Sequence, residues 1–211
     1  MSTIISGLKL KKMFGTHFGV ILRHYEFIQA EIRPHVKNQR VSFVILKDLP
    51  TNEEYQKLLK KHYTTTAGSL ISDAYSELEC LKDELQDWYD NLPPQFQDGD
   101  KGSILQDSIS SLENFSEPDV PKFAEELPVF YLPALGINSR ASRCSEASNM
   151  LQAALDACEE KIAYLDINWS DMPGLTQEKA EEYSAELQEL VDSLGEIIGE
   201  TDGIEFPGMF S

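Results

Sequence analysis

The chain has 211 residues, enough for one large domain or two small ones, and its 41% hydrophobic content supplies a core. Charged residues make up an ordinary 26%, but the formal net charge is −18, so the sign is the anomaly. That balance, with a pI near 4.5, argues against non-specific nucleic-acid binding by the whole chain, because phosphates are repelled, and favours basic partners.

The charge is also divided by position. Residues 1–62 hold 11 of the 18 Lys and Arg and 5 of the 36 Asp and Glu, a balance of +6. Residues 63–211 hold the remaining 7 and 31, a balance of −24. All four histidines, His17, His24, His35 and His62, precede the switch. A basic head on an acidic body either folds back on itself or meets two partners.

In chain order, the spacing Phe14, Phe18, Ile21, Tyr25, Ile28, Ile32 predicts a helix closed by Pro34. Gly15 and Gly19 lower its propensity but permit close packing. RVSFVIL (residues 40–46) is β-branched and aromatic and reads as a strand. Residues 3–10 or 129–135 are its candidate partners. Thr51 then opens a short helix whose early Glu53 and Glu54 and late Lys60 and Lys61 complement the helix dipole.

The clearest element is a helix over 69–92. Ile71, Ala74, Leu78, Leu81, Leu85, Trp88 and Leu92 form its apolar stripe, and Pro93 and Pro94 stop it. After the loop QFQDGDKG, Ser103 and Gln106 have capping-box spacing ahead of Leu105, Ile109, Leu112 and Phe115. A Pro-punctuated segment follows. Cys144, Ala147, Leu151, Leu155, Cys158, Ile162 and Leu165 stripe the next helix. Thr176 caps the last one, with Tyr183, Leu187, Leu190, Leu194 and Ile197 on one face. YSELECLKDEL (75–85) faintly echoes YSAELQELVDSL (183–194). Short stripes separated by turns predict an antiparallel bundle and not one long coiled coil.

The stretches 71–115 and 139–166 resemble acidic helical proteins encoded by phages and mobile elements. The resemblance is carried by Glu77, Leu78, Leu81, Glu84, Trp88, Asp90 and Asn91, then Leu112 and Glu113, then Ala153, Leu155, Asp156 and Glu159. It covers roughly 67–166, about half the chain. It implies a phage-type accessory protein and brings no activity with it.

Candidate chemistry is sparse. His17 and His24 are two turns apart, about 10 Å, too far for one metal ion without a helper. Cys80, Cys144 and Cys158 are an odd set without C-x-x-C spacing, and read as core packing. DGDKG (98–102) lacks the spaced ligands and terminal Glu of a calcium loop. No glycine-rich phosphate cradle or G-x-S-x-G appears. No metal and no cofactor are expected, and the chain reads as a non-enzyme. No apolar run reaches about 18 residues, so no membrane span is expected. MSTIISGLKLKK has no signal pattern, and a reducing cytoplasm is the expected compartment.

The expected whole is mainly α. An antiparallel acidic helix bundle with a short apolar tail occupies 67–211, behind a smaller basic N-terminal α/β segment at 1–66 (helix, strand, short helix). The expected function is non-catalytic: a phage-type accessory protein acting by protein–protein interaction. Carboxylates on rigid helices would imitate a DNA phosphate array and inhibit a host nucleic-acid-binding or defence factor. The candidate partner-binding residues are Glu77, Glu79, Asp83, Glu84, Asp87 and Asp90, complementary to Lys and Arg on the partner. Lys9, Lys11, Lys12, Arg33, Lys37 and Arg40 could contact phosphates, with Tyr25, His35 and Phe43 to stack. Docking of that head on the acidic body is the preferred alternative. Ile204, Phe206, Met209 and Phe210 in the tail suit either a partner or the chain's own helices. The second functional reading is a minor virion or assembly protein that self-associates through its helices.

Overall fold

The computed structural model describes residues 3–6, 12, 17, 27–32, 41–46 and 51–207, the first three strands by backbone alone. The chain is mainly helical. It divides into two compact units, Met1–Thr64 and Thr65–Ser211.

The first unit contains a three-stranded antiparallel sheet of β1 (Thr3–Ser6), β2 (Phe27–Ile32) and β3 (Val41–Leu46). Its order is β1-β3-β2, with Ile45 of β3 opposite Ile4 on one side and Ile28 on the other. The predicted strand at 40–46 therefore exists, and it takes its partner from the candidate stretch 3–10. The predicted helix over 14–32 needs correction, because Phe27–Ile32 is a strand. Ile28, Ala30 and Ile32 alternate with Gln29 and Glu31, so the stretch satisfies a period of two as well as three-to-four. Pairing with β3 along all six residues decides between them. Phe14, Gly15, Phe18, Gly19, Ile21, His24 and Tyr25 lie outside the described residues.

Helix α1 (Asn52–Tyr63) starts at a complete capping box. Thr51 accepts from the Glu54 amide, and the Glu54 carboxylate accepts from the Thr51 amide at 2.7 Å. That hydrogen bond holds the Glu54 carboxyl below the usual carboxylate range. Tyr55 and Leu59 are its buried residues, and the rings of His17 and His62 meet Tyr63 edge-on at 5.3 Å.

Strand β4 (Thr64–Thr66) straddles the boundary in the chain, and its last residue caps helix α2 (Ala67–Asp90). The buried residues Ala67, Leu70, Ile71, Ala74, Leu78, Leu81 and Leu85 keep a three-to-four spacing. Gly68 sits where a Cβ would lie 3.0 Å from the backbone of Glu125, so the helix start packs tightly on the later chain. The predicted prolines end α2, and Pro94 starts the one-turn helix α3 (Pro94–Gln97).

Helix α4 (Asp100–Glu113) begins three residues before the predicted Ser103 cap, which needs correction. Ser103 is exposed inside the helix, and Gln106 instead donates to the Tyr89 hydroxyl at 2.7 Å. The cause is a close approach: a Cβ on Gly102 would stand 1.9 Å from the Gln97 carbonyl oxygen. Two short elements follow, α5 (Lys122–Glu125) and β5 (Pro128–Phe130). β5 pairs with β4, so the stretch at 129–135 is not the partner of residues 40–46.

Helix α6 (Arg140–Asn168) is capped by Ser139, and helix α7 (Gln177–Thr201) by Thr176 as predicted. The Cys144 thiol lies 4.0 Å from the Thr201 carbonyl, and Ser184 lies 3.5 Å from Asp166. The start of α6 thus meets the end of α7, and the two run in opposite directions. Helix α6 also packs on α2. Leu81, Leu85, Leu105, Leu151, Leu165, Leu187 and Leu194 are fully buried, each worth about 1.5–3 kcal/mol of transfer free energy. The first part of the tail docks on this core through Ile204 and Phe206. There the buried Ser108 hydroxyl reaches the Glu205 carbonyl at 2.5 Å. Met209 and Phe210 lie outside the described residues.

Candidate partner-binding surface

The acidic positions of α2 divide into two groups. Glu77 and Glu84 lie one heptad apart on the flank of α2 that faces the start of α6. Arg143 donates to both of them, and Arg140 donates to Glu84 at 3.1 Å. The Arg140 guanidinium also lies 5.0 Å over the Trp88 ring. The hydrogen bond from Arg143 holds the Glu84 carboxyl below its usual range, and the same bond raises Arg143. Glu77 and Glu84, expected among the exposed acids, are therefore half-buried cross-links between α2 and α6.

The other four expected acids, Glu79, Asp83, Asp87 and Asp90, are exposed. Glu79 and Asp83 share Lys82, each at 4.0 Å. Asp90 accepts from Gln86 at 2.9 Å. Of the six, only Asp87 and Asp90 lack a cation within reach among the described residues.

Helix α7 is different. Glu178, Glu181, Glu182, Glu186, Glu189, Asp192, Glu196 and Glu200 are all exposed, against the single Lys179. Among the described residues none of these carboxylates has an ion pair; Glu181 and Asp192 accept from Gln177 and Gln188 at 2.9 Å. Glu178, Glu182, Glu186, Glu189, Ser193, Glu196 and Glu200 follow one another by three or four residues. They form a polar stripe beside the buried Ala180, Leu187, Leu190, Leu194, Ile197 and Thr201. Like charges at this spacing cost an isolated helix about 0.2–0.5 kcal/mol per pair. Glu196 and Glu200 also sit at the negative end of the helix dipole, with no basic residue in the last turn.

Part of this stripe borders a groove against the loop after α4. Pro118, Asp119 and Pro121 face Glu186, Glu189, Leu190 and Ser193 across 410 Å³. The groove continues past Pro118 into 190 Å³ lined by Asn114, Phe115, Ser116, Glu196, Ile197 and Glu200. Five carboxylates line its length and no cation does. The apolar face of α7 was legible in the sequence; the acidic stripe beside it has the same spacing and is the surface that sequence reasoning overlooked.

The remaining candidates are dispersed. Lys12 is exposed, and Lys9, Lys11, Arg33, His35, Lys37 and Arg40 lie outside the described residues. Cys144 and Cys158 are buried, and burial pushes their thiols up to about 11. Cys80 is exposed, contrary to the expectation of core packing, because it falls on the solvent side of α2 between Leu78 and Leu81. Burial also pushes the Tyr75 phenol up to about 12, and its hydroxyl donates to the Ser116 carbonyl at 2.9 Å. Among the described residues no three His, Cys, Asp or Glu converge to hold a metal ion, and no helix is long and apolar enough to cross a membrane. Comparison with protein-family models, curated proteins and solved structures finds no match.

Proposed function

We propose that this protein is a phage-type accessory protein that works without catalysis, in the host cytoplasm, by binding a Lys/Arg-rich protein surface. Residues 67–211 serve as an antiparallel acidic helix bundle that follows a basic α/β segment at 1–66 in the chain. The partner is a host nucleic-acid-binding or defence factor whose phosphate-binding surface it occupies. The observation that carries this reading is the unpaired acidic stripe of α7 and its groove. Solubility alone does not require like charges to be aligned on one helix at a local energetic cost.

Charge density sets the scale of the imitation. The eight carboxylates and one lysine of α7 leave a net −7 along 25 residues. At 1.5 Å per residue that is one net charge per about 5 Å. A nucleic-acid strand carries one per about 3.4 Å and a duplex one per about 1.7 Å. Helix α7 therefore resembles a sparse single strand more than a duplex, and Asp119 across the groove adds to it.

A tagged pull-down from nuclease-treated host lysate at about 0.1 M and about 0.5 M salt tests this, because the higher ionic strength screens exposed charge pairs. A nucleic-acid-binding protein captured at the lower salt and lost at the higher is expected. The variant E186K/E189K/E196K should lose that partner while keeping its helicity. Capture that survives both high salt and charge reversal overturns the reading.

A further inference from the structure

We infer that the outer face of the segment running through β5 to Leu135 is a docking strip for an amphipathic, Lys/Arg-rich segment of the protein partner. This rests on the reading of a basic partner and adds an apolar component to it. The backbone is a strand at Pro128–Phe130, and burial alternates from Pro128 to Leu132. Val129 is buried, and Tyr131 is half-buried with its hydroxyl bonded to Glu146. On the other side Phe130 is 43% exposed and Leu132 36%, and beyond Pro133 the alternation ends and Leu135 is 60% exposed. A strand that is apolar on both faces normally has both faces covered. This one is covered on one face only, which marks the other as an interaction surface.

The strip is held in place. Strand β4 pairs with it at one end, and at the other the buried Glu146 carboxylate accepts from the Ala134 amide at 2.9 Å. Gly136, at φ 81°, then turns the chain in the left-handed region. The exposed side chains thus stand on a braced backbone, which lowers the ordering cost of binding.

Charge selects the occupant. Residues 127–139 contain no charged side chain, in a unit whose balance is −24. Glu125 and Glu126 are exposed where the strip begins. A second copy brings another −18, and an anionic lipid surface is repelled in the same way. A segment with Leu or Phe on one side and Lys or Arg on the other meets both the strip and its acidic border.

The test uses the full chain and two fluorescent 14-residue peptides at about 0.15 M salt, a screening length of about 8 Å. One peptide is an amphipathic Leu/Lys helix, and the other has every Leu replaced by Ser. The Leu/Lys peptide should bind the wild type and lose at least tenfold in affinity for F130S/L132S/L135S. The Ser/Lys peptide should be indifferent to that variant. If the triple variant loses helicity, Leu135→Ser alone replaces it. Equal affinity of the Leu/Lys peptide for wild type and variant overturns the strip. So does a wild-type dimer that the variant abolishes, or wild-type binding to phosphatidylserine vesicles that the variant loses. The variant E186K/E189K/E196K separates the two proposals. If it leaves the binding of both peptides unchanged while the serine variants still matter, the electrostatic reading fails and the strip stands.

Discussion

Helices α2 and α7 look alike in sequence: both amphipathic, both rich in Glu and Leu, each with a Tyr-Ser pair followed by three leucines at three-to-four spacing. The fold separates them. Helix α2 packs against α4, α5 and α6, and two of its acids are tied to arginines of α6. Helix α7 packs mainly on α6 and turns eight carboxylates to solvent with no cation in reach among the described residues. The same residue types form a cross-link in one helix and an open charged surface in the other. What differs is whether a later element brings arginine alongside.

The buried faces should be equivalent even though the polar faces are not. Leu81→Ala in α2 and Leu187→Ala in α7 each remove a fully buried side chain, and each should cost about 3 kcal/mol by urea denaturation. A much smaller loss in α7 alone would show that its docking is marginal.

Removing the arginine that distinguishes α2 has a smaller effect. Arg143→Met strips Glu77 of its cation and leaves Glu84 with Arg140, and should cost about 1 kcal/mol at neutral pH for this half-exposed network. The sign of its pH dependence follows from Glu84, whose carboxyl is lowered in the folded state. A lowered carboxylate stabilises the fold above its unfolded value and loses that contribution as pH falls through the folded one. The difference between wild type and Arg143→Met should therefore shrink as pH drops below about 4, the unperturbed carboxylate range. A gap that widens toward acid would contradict the pairing.

Neutralising acids should have opposite signs in the two helices, and this is the smallest effect. Glu182→Gln with Glu189→Gln and Glu196→Gln in α7 relieves like-charge neighbours and should raise stability by up to about 1 kcal/mol. Glu77→Gln with Glu84→Gln in α2 should lower it. Thermal melts at low salt compare the two sets, and identical signs would erase the distinction.

Much of the chain from Thr51 onward was legible. The apolar repeat of α2 and the two prolines after it, and the Thr51 and Thr176 caps, are local signals, and the helices lie where they point. Ser103 has equally good capping spacing, yet Gly102 against the Gln97 carbonyl starts that helix earlier. Phe27–Ile32 satisfies two periodicities, and only the neighbouring strand chooses between them. The pairing of β5 with β4 likewise depends on how elements assemble.

By itself the sequence determined where α1, α2, α6 and α7 lie and how the charge divides, because periodicity, caps and composition act within a few residues or sum over many. Only the tertiary structure decided which carboxylates are free. The partners of Glu84 and Glu77 lie 56 to 66 residues further along the chain. A Coulomb interaction depends on separation in space, and no local pattern in α2 records that α6 will place arginines beside it.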